Sequence, residues 1–164
     1  MSPPRAAPAA RLLALALALL APAAPPQAPL RVDLAGSGWT RNGVPPAVVP
    51  LVAPAEGGAL VVLPFERRGV RWATSFETGK GRMARLSLEW AGGPDGLLFE
   101  VVLDGQRLLP ARDAWRPSPR ALRADLGSVW LGPGGHLLEL VARERPAWPA
   151  AVRVAALDVE WLGP

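Results

Sequence analysis

Residues 83–109 read MARLSLEWAGGPDGLLFEVVLDGQRLL, and their periodicity decides the fold. Leu86, Leu88 and Trp90 share one parity while Arg85, Ser87 and Glu89 share the other, the two-residue repeat of a strand with one buried and one wet face. AGGPDG then turns the chain, and Phe99, Val101 and Leu103 resume the alternation around Glu100. Asp104-Gly105 is a strong hairpin signal, because the favoured two-residue turn needs positive φ at both positions. It feeds a return strand over 106–109.

Outward from this core the same pattern repeats at short intervals. Strands are predicted over 30–34, 59–65, 69–77, 121–126, 129–131, 136–144 and 151–161, with loops at 110–120 and 145–149. In the last strand Leu157, Val159 and Trp161 make one face, but Arg153 falls on the same parity, which predicts a bulge near Ala155. The segment 35–58 is rich in glycine and proline, and four prolines between Pro45 and Pro54 exclude a helix or a central strand there. An edge or polyproline-like excursion is expected instead. No window after residue 24 carries a helical period free of glycine and proline. Nine or ten short strands with frequent turns imply an all-β antiparallel sandwich of jelly-roll type.

The first 23 residues have the grammar of a secretory signal: Arg5 and Arg11, an apolar run from Leu12 to Leu20, then Ala21-Pro22-Ala23. That run is about half the roughly twenty residues a membrane-spanning helix needs, so cleavage after Ala23 and export to the periplasm or exterior are expected, with no membrane insertion afterwards. Residues 24–29 read as a Pro/Ala-rich linker, and 30–164 as a single β-sandwich domain. The chain has no cysteine, so neither a disulfide nor a lipid-modified cysteine is available to it. Its formal charge is +4, which loses two arginines with the signal. Arginine and acidic residues are interleaved throughout, whereas a nucleic-acid binder needs a clustered basic face; nucleic acid is not an expected partner.

His136 is the single histidine of the chain. It follows a glycine turn and shares parity with Leu138, Leu140 and Ala142, so it stands at the lip of the core. General-base work needs a nucleophile within reach and a group to orient the ring. No nucleophile elbow, cysteine or histidine cluster supplies them. The scattered carboxylates pick out no glycosidase pair by spacing. The residues name no catalytic group, and the chain reads as a non-enzyme.

With the strands placed, LLFEVVLDGQRLL, then RADLGSVWLGPGGHLLELVARE, then the closing VAALDVEWLGP resemble the galactose-binding-like β-sandwich superfamily over about residues 97–164. That group includes many bacterial carbohydrate-binding modules. The resemblance implies a sandwich fold, a non-catalytic histidine heading its strand, and a glycan partner. It also implies a structural calcium held by acids of the first and last strands, where Asp33 and Asp158 lie. Calcium takes six to eight oxygen ligands, and with only these two to argue for, solvated or turn-capping aspartates are the preferred reading; no other cofactor is expected.

Seven tryptophans accompany no tyrosine. Trp72, Trp90 and Trp161 fall on apolar strand faces and are expected in the core, as is Trp130 between Val129 and Leu131. Trp39, Trp115 and Trp148 sit in Gly/Pro loops beside polar residues. An indole can take the apolar C–H face of a sugar while nearby donors and acceptors take its hydroxyls. Trp115 with Arg112, Asp113 and Arg116 is therefore the candidate ligand site, with Trp148 or Trp39 as a candidate second wall; the competing reading is that loop indoles fold back to plug the open ends of the sandwich, which is preferred for Trp39 and Trp148 and evenly balanced for Trp115. The functional expectation is an exported module for a glycan or polysaccharide. Its rival is a structural or protein-interaction domain of the cell envelope with the same fold and no sugar site, docking on an envelope or secreted protein.

Overall fold

A computed structural model describes residues 28–42, 51–55, 58–144 and 150–163. The expected signal segment, most of the expected linker and Trp148 lie outside the described residues. Within them the chain forms strands β1 (Leu30–Asp33), β2 (Thr40–Arg41), β3 (Leu51–Ala55), β4 (Gly58–Phe65), β5 (Arg71–Thr78), β6 (Arg82–Gly92), β7 (Leu98–Leu103), β8 (Gln106–Asp113), β9 (Arg120–Leu131), β10 (Gly134–Ala142) and β11 (Ala150–Trp161). One sheet runs β3-β4-β11-β6-β9, with β1 also paired to β11, and the other runs β2-β5-β10-β7-β8. The strand pairings are antiparallel.

The alternation read in the sequence becomes the inner face. Leu86, Leu88 and Trp90 of β6 meet Phe99, Val101, Leu138 and Leu140 of the facing sheet in one apolar cluster, all of them buried. Each such aliphatic side chain contributes about 1.5–3 kcal/mol by leaving water. Trp90 stands edge-on to Phe99, ring centres 6.0 Å apart at 84°, a favourable T-shaped arrangement. Trp72 donates its indole N–H to the Pro64 carbonyl at 2.8 Å, tying the second sheet to the first. The Asp104-Gly105 turn has φ of 50° and 80°, as its hairpin requires.

The proline-rich excursion supplies β3, an edge strand that contains Pro54, the place in a sheet where proline is tolerated. The expected bulge falls at Ala155, where the β11–β6 register shifts between Val154 and Ala156. Two expectations change. The strand after Asp104-Gly105 continues to Asp113, so the loop expected over 110–120 begins only there. Residues 121–126 and 129–131 are not two strands but the single β9, joined across Gly127, whose φ of 94° absorbs a register shift opposite Leu86 and Ser87.

Candidate functional site

Strand β6 ends at Gly92 and turns through 93–96, and the chain leaving β8 crosses directly over that turn. Gly93 donates to the Ala114 carbonyl at 3.0 Å, Arg116 donates to the Gly93 carbonyl at 2.9 Å, and Ala114 donates to the Leu97 carbonyl at 3.1 Å. The crossing requires glycine. A Cβ at Gly96 would lie 2.0 Å from the Ala114 carbonyl oxygen, and one at Gly92 would lie 2.7 Å from Cγ of Arg116. Asp113 closes the local turn by accepting the Trp115 backbone N–H at 2.8 Å. Ala114 is thereby buried as an anchor while the Trp115 side chain stays 49% exposed.

Beside this crossing opens a groove of about 880 Å³. Strands β4, β6, β9 and β11 and the 93–96 turn supply its walls, with Leu60, Ala91 and Ala121 as apolar floor and Arg120, Arg123 and Arg153 among the polar groups. Asp95 fixes Arg153 through two bonds of 2.8 and 2.6 Å and accepts Ala151 N–H through its own carbonyl at 2.9 Å. That guanidinium holds the Asp95 carboxyl below the usual range. Arg31 likewise donates to Glu89 at 2.6 Å and to Asp158 at 2.9 Å. The first bond lowers the Glu89 carboxyl and raises the Arg31 guanidinium. The groove therefore presents ionised groups fixed in place by one another, suited to hydrogen-bonding the hydroxyls of a polar ligand.

The expected site residues divide. Trp115, Asp113 and Arg116 share the crossing, and the half-buried Arg112 donates to the Asp125 carbonyl at 2.6 Å. Trp39 is no second wall: it is 6% exposed and donates its indole N–H to the Leu34 carbonyl at 2.9 Å, so it plugs the core. Asp33 and Asp158 do not fit a divalent cation. Asp33 accepts the Ala35 N–H at 3.0 Å, and Asp158 faces guanidinium groups of Arg31 at 2.9 Å and Arg123 at 3.1 Å. His136 is buried, with Nδ1 donating to Asp104 at 2.7 Å and Nε2 at 2.9 Å from the Gly132 carbonyl. It fastens the β7–β8 turn to the start of β10, away from the groove.

Trp130 corrects an expectation in the other direction. It was assigned to the core but is 64% exposed. Its neighbours Val129 and Leu131 are buried, and in a strand the residue between two inward side chains points outward. The groove arginines were missed as well. Their outward parity was legible, but nothing local in sequence tells that β4, β11, β6 and β9 lie side by side.

No protein-family model matches the chain, and no curated protein matches it. Solved structures do. A family 35 carbohydrate binding module from Clostridium thermocellum is 11% identical, with a TM-score of 0.54 over 83% of this chain and 100% of that one. A GH26-CBM35 β-(1,4)-mannanase of Podospora anserina is 16% identical, with a TM-score of 0.55 over 83% of this chain. A Paenibacillus xanthan lyase is 13% identical, with a TM-score of 0.67 over 87% of this chain. The chain spans only 28% and 14% of the lengths of those two enzymes. At such identities the likeness is one of architecture: the chain shares the two-sheet antiparallel β-sandwich fold of these structures, carbohydrate-binding modules among them.

Proposed function

We propose that this chain is an exported, non-catalytic module that binds a glycan or polysaccharide. The observation that carries the reading is the Trp115 indole, half open to solvent on a glycine-dependent crossing that is bridged to Gly93, a residue lining the neighbouring groove. An indole face takes the C–H face of a sugar ring, and the neighbouring fixed guanidinium and carboxylate groups pair with its hydroxyls. The fold likeness to carbohydrate-binding modules supports the same reading. Large exposed apolar side chains among the described residues are Met83, Trp115, Trp130 and Leu137; Leu137 lies on the other sheet, which disfavours one broad protein-docking patch.

An open site of this kind buries little of a sugar, so affinity is expected in the millimolar-to-micromolar range. Calorimetric titration of a panel of manno-, xylo- and galacto-oligosaccharides should show binding that Trp115→Ala weakens by about tenfold or more, equal to 1.4 kcal/mol or more. Equal affinities for the variant and the parent chain would remove the site.

A further inference from the structure

The outward face of the sheet carries another exposed indole, Trp130 of β9, beside β6. Met83 pairs with Trp130 across β6 and β9, and both are exposed, at 40% and 64%. The Trp130 ring is seated as well as exposed: a Cβ at Gly81 would lie 3.0 Å from its Cζ2 and 3.4 Å from Cδ of Pro133. Glycine at 81 thus leaves the space into which the ring settles, with its remaining surface free.

Between this indole and the Trp115 crossing, ion pairs recur along the face in a lane interrupted by the apolar floor at Ala91 and Ala121. Next to Trp130 comes Arg85 with Asp125 at 3.7 Å. Farther along, Arg31 and Arg123 bridge Glu89 and Asp158 at 2.6–3.5 Å. Arg153 with Asp95 closes the lane beside Gly93, whose backbone is bridged to Trp115. From Met83 to Gly93 the strand advances about 33 Å at its usual rise. The four arginines are matched by four carboxylates in these pairs. These pairs leave Arg120 as the one groove arginine without a carboxylate partner among the described residues, so a polyanion finds little net attraction along the lane, whereas an uncharged chain rich in hydroxyls finds alternating donors and acceptors.

We propose that the outer face of this sheet is a track for an extended, uncharged polysaccharide, with Trp130 as a second stacking platform and Trp115 at the far end. The proposal rests on the glycan-binding reading above and adds its mode: the module grips the interior of a long chain along β6. Each additional ring laid along the lane adds contacts until Trp130 is reached. A short sugar engages the Trp115 end alone.

The test is calorimetry on the whole chain with manno-, xylo- and galacto-oligosaccharides from disaccharide to hexasaccharide. For whichever series binds, the hexasaccharide is expected to bind about a hundredfold more tightly than the disaccharide, and Trp130→Ala to cut that ratio about tenfold. Trp130→Phe, which keeps a flat ring, should recover part of the ratio, a result that mere structural damage would not give. Trp115→Ala should weaken every length. If the ratio is the same with and without the Trp130 indole while Trp115→Ala still abolishes binding, the track is wrong and the loop site stands. If no oligosaccharide binds the parent chain, both readings fall.

Discussion

At the scale of single residues, His136 is where chemistry and architecture were hardest to tell apart. A lone histidine invites a catalytic reading, yet this ring is bonded at both nitrogens to oxygens of the fold: the Asp104 carboxylate on one side, the Gly132 carbonyl and the Thr78 hydroxyl on the other. Asp104 also accepts the Leu137 N–H at 2.8 Å, so the hairpin tip and the start of β10 are fastened at one point. Removing the ring deletes a buried side chain and its hydrogen bonds to Asp104, Gly132 and Thr78, at about 0.5–1.5 kcal/mol per bond and about 1–3 kcal/mol together. His136→Ala should therefore lower unfolding free energy by that amount in a denaturant titration. Oligosaccharide affinity of the folded variant should be retained, since the ring is remote from groove and lane; lost affinity with unaltered stability would give His136 a binding role instead. The tryptophans teach the complementary lesson. Burial of Trp39 agrees with the plug expected from its loop, since glycines do not prevent an indole from folding back, whereas exposure of Trp130 contradicts its expected burial, because apolar strand neighbours signal the opposite face.

At the scale of elements, the crossing of the 93–96 turn by Ala114–Arg116 is the feature on which the site depends. Gly96→Ala puts a methyl group 2.0 Å from the Ala114 carbonyl oxygen, a backbone atom that cannot swing aside. Overpacking of this kind typically costs about 1–3 kcal/mol. The variant should melt earlier and lose sugar affinity together, because the crossing positions Trp115; full affinity in Gly96→Ala would mean that Trp115 needs no such support. Strand positions were legible to within a few residues wherever one face is apolar, as in β6, β10 and β11, and so was the bulge at Ala155. The continuity of β9 was not, because Gly127 looks like a break while its positive φ carries a register shift inside the strand. Nor was the short β2, whose two residues pair with Ala73 and Trp72 of β5 but are too few to show a period.

At the scale of the whole molecule, the two sheets divide labour. Their facing sides make the apolar cluster, and the outer side of the β3-β4-β11-β6-β9 sheet carries the groove, the ion-paired lane and, at one end, Trp130. The fold class could be read from alternation alone, but this division could not. It depends on which strands become neighbours, and β6 lies between β11 and β9, both distant from it in sequence. The central claim is that the indoles meeting the ligand are the exposed ones, Trp130 on this face and Trp115 on the crossing at the end of β6. Indole N–H resonances of the seven tryptophans, followed by nuclear magnetic resonance during titration with a binding hexasaccharide, test it most directly. The signals of Trp115 and Trp130 should move with saturating sugar while those of Trp39 and Trp72, which do not line the groove, stay in place. Movement of the core signals with Trp115 and Trp130 unaffected would contradict the account.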